Sequence, residues 1–172
     1  MQRLPSVLVT LTAALAVTGC GSGQSTESTS APDTSSSPAT TSSPPASEKV
    51  EISTKALSGL GTVLVNGQGH TLYIFIPDKH KQVTCLSTCA QIWPPVKVAS
   101  AQKPTTSGQA RSSLLGSDPD SEGGRVLTYA GWPLYTYISD SEPGAATGQA
   151  LNANGGLWYV LSPAGTVITK TP

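Results

Sequence analysis

Alternating apolar and polar positions after about residue 60 predict β-strands. Residues 62–65 and 70–76 are rich in β-branched and aromatic side chains, which favour strands. The sequence Asn-Gly-Gln-Gly at 66–69 lies between these runs and is a strong hairpin-turn signal. No window has a long helical period, and the best helical candidate is a short segment at 86–92. The pattern therefore predicts a mainly β domain.

The same strand pattern returns towards the C-terminus. Two further strand pairs are predicted, residues 125–129 with 133–138 and residues 157–161 with 166–169. A short segment containing glycine separates the strands of each pair, as is typical of hairpins. The strand pattern therefore recurs along the chain, which indicates an internal repeat.

An internal repeat relates the two halves of this β region. The pattern Gly-x-x-Leu-Tyr-x-aromatic-x-x-Asp begins at Gly69 and again at Gly131, 62 residues later. Its chemistry-bearing positions are Tyr73, Phe75 and Asp78 in the first copy, and Tyr135, Tyr137 and Asp140 in the second. Aromatic residues two apart share one face of a strand. We therefore predict a single compact domain built from two repeated β-hairpin units.

The N-terminus, residues 1–19, has the features of a lipoprotein signal peptide. Arg3 precedes an uncharged run at 6–17, which is too short to span about 30 Å of hydrocarbon as a helix. The run ends in Val-Thr-Gly-Cys, which is similar to the bacterial lipobox. We expect cleavage before Cys20, attachment of diacylglycerol and N-acyl (palmitate) chains there, and anchoring at the extracytoplasmic face of the cell membrane. The alternative is an ordinary signal peptide followed by a chance cysteine.

A stalk is predicted at 20–48 and the folded domain at 49–172. The stalk region is almost wholly Ser, Thr, Pro, Gly and Ala, so it lacks the apolar side chains needed to offset the entropy of ordering. This composition suits either a plain spacer or O-glycosylation. Over the whole chain ten Lys and Arg residues balance ten Asp and Glu residues. Nucleic acid is therefore excluded as a partner, which leaves the membrane and an unidentified envelope protein or glycan.

Once Cys20 carries lipid, Cys85 and Cys89 remain as a pair in an oxidising compartment. A structural disulfide is the expected state. Two alternatives stay open, a redox-active pair and a metal site completed by His70 and His80. The Cys-x3-Cys spacing demands neither, and we expect no metal and no cofactor.

The paired aspartates and the aromatic residues are the other candidates for function. Asp78 and Asp140 could act together as acid and base, but aspartates after strands more often fix turns, and the sequence offers no serine or cysteine nucleophile. Catalysis is therefore disfavoured. Most aromatic rings are expected in the core, yet Trp93 and Trp132 precede prolines, which keeps them from inner strands. The alternative is a partly exposed aromatic surface that stacks sugar rings or clasps a peptide, with these two tryptophans as its leading candidates.

The chain resembles the bacterial secreted-repeat lipoproteins that carry a Tyr-x-(Phe/Trp/Tyr)-x-x-Asp motif. The resemblance runs from about residue 61 to residue 165 and rests on the segments 72–78, 85–90, 93–96, 131–140, 148–149 and 155–160. It implies an export signal and a repeated β unit, with no established activity. One departure is the stretch 79–82, which replaces a glycine common in the family and leaves the conformation of that loop open.

Two hypotheses follow. The first is a lipid-anchored, non-catalytic binding or structural module of the cell envelope. The second is an extracytoplasmic redox or metal-handling protein that uses Cys85 and Cys89. A count of free thiols and bound metal would separate them.

Overall fold

The computed structural model describes residues 49–79 and 82–172. The predictions for the signal peptide, for Cys20 and for the stalk lie outside these residues, as does His80. In the described part, no helix combines the length and the apolar character that crossing a bilayer requires.

The described residues are mainly β, as the sequence predicts. The strands are β1 (Glu51–Leu57), β2 (Gly61–Asn66), β3 (Tyr73–Phe75), β4 (Lys97–Val98), β5 (Thr105–Thr106), β6 (Leu115–Pro119), β7 (Arg125–Tyr129), β8 (Trp132–Pro133), β9 (Asn152–Ala153), β10 (Gly156–Leu161) and β11 (Val167–Ile168). The helices are α1 (Thr88–Ile92) and two 3-10 turns, Ile76–Asp78 and Ser112–Leu114. The short helix predicted at 86–92 is thus confirmed in α1.

The strands form three small sheets. The first has the order β2-β1-β5, with β1 antiparallel to β2 and parallel to β5. The second has the order β11-β10-β3, and β9 also pairs with β10. The third has the order β4-β7-β6, and β8 also pairs with β7. Each copy of the repeat therefore contributes a hairpin, β1–β2 or β6–β7, ahead of its Tyr-x-aromatic segment.

The predicted hairpin between 62–65 and 70–76 is only partly correct. The turn forms, because Gly69 N donates to Asn66 O at 2.9 Å, but the pairing beyond it is one isolated bridge between Val65 and Thr71. Strand β2 instead pairs along its length with β1, while β3 leaves to pair with β10. Strand β1 was not predicted, because its Ser, Thr and Lys residues weaken the apolar pattern.

The second predicted pair, 125–129 with 133–138, is confirmed only at its turn. Strands β7 and β8 are joined by Ala130 and Gly131, whose φ angles are 51° and 82°. Positive φ at both central residues is the geometry of a tight hairpin turn. After Pro133 the chain makes single bridges at Tyr135 in place of a continuous strand. The last hairpin, β10 with β11, forms as predicted.

Two apolar clusters lie on opposite sides of the central strands. In β2, Val63 and Val65 belong to one cluster and Leu64 to the other. In the segment that ends in β3, Tyr73 contacts the first cluster and Leu72 the second. Period-two alternation explains this division, since successive side chains point to opposite faces. These strands are therefore buried on both faces, and the repeat motif lies at the centre of the domain.

Candidate functional site

The two copies of the repeated motif meet through their first tyrosines. Tyr73 N donates to Tyr135 O at 2.9 Å, and Tyr135 N donates to Tyr73 O at 3.0 Å. The pair forms an isolated antiparallel bridge, and both side chains are fully buried. This bridge joins the two copies of the repeat directly at their motif tyrosines.

Each tyrosine hydroxyl crosses to the aspartate of the opposite copy. Tyr73 donates its hydroxyl to Asp140 Oδ2 at 2.5 Å, and Tyr135 donates to Asp78 Oδ2 at 2.7 Å. All four side chains are buried. Charge-assisted hydrogen bonds of this kind are stronger than those between neutral groups. The repeat motif is therefore an interlocking device, in which each copy completes the other.

A threonine holds the second oxygen of each aspartate. Asp78 Oδ1 accepts from the backbone N–H of Thr84 at 2.9 Å and from its hydroxyl at 2.6 Å. Asp140 Oδ1 accepts the same two bonds from Thr147, at 2.9 and 2.6 Å. The aspartates thus fix the loops that follow them, as predicted. Sequence reasoning missed the threonines, whose only signal is their similar spacing from Asp78 and Asp140.

Burial sets the protonation of this site. Removal from water raises the pKa of Asp78, although the hydrogen bonds from Thr84 and Tyr135 oppose that shift. Burial also raises the pKa of Tyr73 and of Tyr135, and the carboxylate that each contacts raises it further. A backbone N–H donates to the hydroxyl oxygen of Tyr73, from Gly148 at 3.3 Å. Both phenols therefore keep their protons and act as donors.

Four rings stack between the two interlocked pairs. Trp93 and Trp158 lie face to face, with centroids 3.9 Å apart and planes 3° apart. Tyr137 stacks on the far side of Trp93 at 4.0 Å, and Phe75 stacks on the far side of Trp158 at 4.3 Å. The order of the stack is therefore Tyr137, Trp93, Trp158, Phe75. The two copies of the repeat alternate along it.

The two motif tyrosines approach this four-ring stack edge-on. Tyr73 lies 5.4 Å from Trp93, and Tyr135 lies 5.2 Å from Trp158, centroid to centroid. Edge-to-face contacts at these distances are favourable because the ring edge is positive and the face negative. These six rings are thus gathered into one ordered assembly within the first apolar cluster.

The predicted exposed surface at Trp93 and Trp132 is wrong. Trp93 is 0% exposed and Trp132 is 9% exposed. Proline did exclude these positions from long inner strands, since Pro133 lies in the two-residue strand β8. The error was to equate an irregular backbone with an exposed side chain, because both indole rings turn inward.

The predicted disulfide between Cys85 and Cys89 is confirmed. Its cysteines are 1% and 8% exposed and pack in the same core cluster as Trp93. Ser87, inside the disulfide loop, is fixed from outside, because its N–H and hydroxyl both donate to Glu122 Oε1 at 2.8 and 3.1 Å. The bridge is therefore enclosed by the fold.

The described residues contain no group of three or more His, Cys, Asp and Glu side chains arranged for a metal ion. His70 contacts the second copy of the repeat, with Nδ1 3.2 Å from the backbone oxygen of Asp140. The predicted alternative, a Cys2His2 site, needs both cysteines as thiolates. The two sulfurs are instead bonded to each other in the disulfide.

An open groove of about 340 Å³ lies on the third sheet, beside the segment that links the two repeats. Lys103 and Arg125 supply positive charge, and Val98 and Leu115 supply apolar surface. Ser117 positions the arginine, because Arg125 Nε donates to its Oγ at 2.7 Å and Nη2 donates to its backbone oxygen. No ion pair of Arg125 occurs within residues 49–79 and 82–172. The groove therefore presents a fixed, half-buried guanidinium.

A separate ion pair joins Lys97 of β4 to Asp120, at the β6–β7 turn. Asp120 Oδ1 also accepts the N–H of Glu122 at 2.9 Å. Burial alone would raise the pKa of Asp120, but the hydrogen bond from Lys97, the N–H of Glu122 and the lysine charge together hold it below its ordinary value. This carboxylate is thus kept charged by its partners.

A profile of the family described as a secreted repeat of unknown function matches the chain twice, over residues 56–97 and 118–162. Each match contains one tyrosine and one aspartate of the interlocked pairs. The segment 98–117, which supplies most of the groove, falls between the matches. Comparison with curated proteins and with solved structures gave no match.

Proposed function

Because the chain belongs to the family of secreted repeats of unknown function, we propose that it is a lipid-anchored, non-catalytic binding module of the cell envelope. The family supports secretion and the two-copy architecture.

The lipobox-like sequence ending at Cys20 supports the anchor. Two acyl chains of a diacylglycerol, at about 0.8 kcal/mol per buried CH2, hold a protein stably on a bilayer where one chain is marginal. The Cys20→Ser protein is expected either in the soluble fraction or as an unprocessed precursor. Normal membrane retention of Cys20→Ser would rule out this anchor.

The hydrogen bonding of Asp78 and Asp140 argues against acid–base catalysis. Each carboxylate accepts three hydrogen bonds from the protein, two from a threonine and one from a tyrosine. A buried acid or base that is engaged in this way has no side open to a substrate. The repeat motif is better explained as the structural centre of the domain.

The binding proposal rests on the guanidinium of Arg125 in the groove. A half-buried guanidinium without a carboxylate partner in the described residues keeps the Nη1 donors, which Ser117 does not engage, for an anion, and hydrogen bonds between a guanidinium and a carboxylate are strong. A groove of about 340 Å³ is within the usual range for small-molecule sites. Serine hydroxyls and the apolar faces of Val98 and Leu115 suit a sugar ring. The ligand class is therefore an envelope glycan that carries a carboxylate.

Titration calorimetry with glucuronate and with glucose tests this site. The parent protein should bind glucuronate and not the neutral sugar, and Arg125→Gln should lose that binding. Arg111→Gln is the matched control, because Arg111 is exposed and lies outside the lining of the groove. Equal binding of both sugars, or equal losses in the two arginine variants, would contradict the proposal.

A further inference from the structure

We propose that the stacked aromatic core is a one-electron relay that accepts oxidising equivalents at the surface and stores them as a buried tyrosyl radical. The relay consists of Tyr137, Trp93 and Trp158, and the storage sites are Tyr73 with Asp140 and Tyr135 with Asp78. This activity is independent of the groove and of the anchor.

The four-ring stack has one oxidisable end that reaches the surface. Tyr137 is half-buried, whereas Phe75 at the other end is 3% exposed and is not readily oxidised. From Tyr137, the face-to-face contacts to Trp93 at 4.0 Å and onward to Trp158 at 3.9 Å bring successive π systems into van der Waals contact. Electron exchange between rings at such distances is fast, and two parallel indoles share a positive charge. The oxidant therefore needs access only to Tyr137.

Trp93 is arranged to pass the charge on. Its Nε1 is buried and makes no hydrogen bond within the described residues. An oxidised indole traps the charge when it loses its N–H proton, so an indole without an acceptor keeps the proton and remains a cation. Trp93 is in edge contact with Tyr73 at 5.4 Å. The charge can therefore move from the indole to that phenol.

The tyrosine–aspartate pairs supply the proton acceptor that storage needs. An oxidised phenol is a strong acid, and it becomes a stable neutral radical only when its proton has somewhere to go. In Tyr73 that proton lies on a 2.5 Å hydrogen bond to Asp140, and in Tyr135 on a 2.7 Å bond to Asp78. Burial raises the pKa of Asp78, which makes that carboxylate a better base.

An oxygen-centred radical such as a peroxyl radical takes one electron from the relay and one proton from water, which gives a hydroperoxide and a hydroxide ion in the solvent. The relay takes one electron from Tyr73 or Tyr135, whose O–H bond breaks as the proton moves to the paired carboxylate. The products in the protein are one neutral tyrosyl radical and one protonated aspartic acid. No bond between heavy atoms is made or broken.

Tyr129 provides an internal control. This tyrosine is also fully buried, but its hydroxyl donates to the backbone oxygen of Pro163 at 2.7 Å and accepts from Arg111 N at 2.8 Å. A peptide oxygen is far too weak a base to take the proton. The radical should therefore form at the two carboxylate-paired tyrosines and not at Tyr129.

Flash photolysis of the full chain in detergent, with photogenerated ruthenium(III) tris-bipyridine as oxidant, tests the relay. Transient absorption and electron paramagnetic resonance should detect a long-lived tyrosyl radical in the parent. The signal should be lost in the Tyr73→Phe/Tyr135→Phe double variant and unchanged in Tyr129→Phe. Near-ultraviolet circular dichroism checks that each variant is folded.

Asp78→Asn and Asp140→Asn extend the test and also serve if the double tyrosine variant does not fold. An amide can keep a hydrogen bond to the phenol but cannot take its proton, so the combined asparagine variant should lose the long-lived signal. A parent without a long-lived tyrosyl radical would overturn the proposal. So would an undiminished signal in folded double variants, or an equal loss in Tyr129→Phe.

Discussion

Tyr73 and Tyr135 exchange both of their backbone hydrogen bonds, at N···O distances of 2.9 and 3.0 Å, while their hydroxyls cross to opposite aspartates. Neither motif tyrosine finds its backbone partner or the acceptor of its hydroxyl within its own copy. The apolar core is also shared between the copies, because Trp93 of the first copy stacks on Trp158 of the second. The stable unit is therefore the pair of repeats, which explains why a secreted chain carries two.

Truncation of either central tyrosine should unfold much of this core. Tyr73→Ala and Tyr135→Ala are each expected to lower the free energy of unfolding by about 3 to 5 kcal/mol, as removal of large buried rings does. Tyr73→Phe and Tyr135→Phe should each cost about 1 to 3 kcal/mol, because a buried carboxylate loses its donor. Denaturant midpoints of the four variants provide the measurement.

Tyr159→Phe is the control for the hydroxyl effect. The Tyr159 ring lies in β10 and is only half-buried, so loss of its hydroxyl leaves no buried carboxylate without a donor. It should differ little from the parent. If Tyr73→Phe and Tyr135→Phe were as stable as Tyr159→Phe, the crossed hydrogen bonds would contribute nothing to stability.

A steric prediction concerns Gly148, which lies against the outer atoms of the Trp93 ring. A Cβ at this position would lie 2.6 Å from Trp93 Cη2 and 2.9 Å from Cζ3. Gly148→Ala should therefore displace the stack and lower stability by about 1 to 3 kcal/mol, the usual cost of overpacking. Thermal unfolding and the near-ultraviolet signal of the tryptophans report the change.

Gly67→Ala is the matched control, since the nearest atom to its added Cβ is 3.4 Å away, in Glu51. This variant should keep the parent near-ultraviolet spectrum. A Gly148→Ala protein with an unchanged spectrum and stability would mean that the Trp93 ring can move aside without cost.

The sequence predicts the mainly β class, the repeat, the disulfide and the burial of Tyr73 and Tyr135, because these depend on local pattern and residue type. It does not predict that β3 pairs with β10 or that each tyrosine serves the other copy's aspartate. These contacts join residues that are far apart in the chain, and the choice between pairing within a copy and pairing across copies depends on packing. Trp93 shows the same limit, since its proline neighbours report the backbone and not the direction of the ring.

Limited proteolysis should separate the proposed stalk from the domain. Residues 20–48 have almost no apolar side chains, and a segment that cannot bury apolar surface is cut readily. We expect mild digestion to yield one resistant fragment that begins near Lys49, identified by N-terminal sequencing and mass. Cleavage throughout residues 49–172 without a resistant fragment would contradict the single-domain prediction.

Asp120 and Asp78 should change the acid stability of the protein in opposite directions. The folded-state pKa of Asp120 is lowered, so its stabilisation is present above the unfolded value of about 3.9 and is lost as the pH falls through the folded value. The advantage of the parent over Asp120→Asn should therefore shrink on acidification.

The folded-state pKa of Asp78 is instead raised, chiefly by burial. The folded protein then binds this proton more tightly than the unfolded chain does, so stability rises as the pH falls through the raised pKa towards about 3.9. The parent should therefore gain on Asp78→Asn as the pH falls towards about 3.9, whereas its advantage over Asp120→Asn shrinks below that value. Urea midpoints of the parent, Asp120→Asn and Asp78→Asn at a series of acidic pH values measure both stability differences. All other titrating groups are common to the three proteins, so their effects cancel in each difference. Two differences that moved in the same direction would show that one of these carboxylates is not in the environment described here.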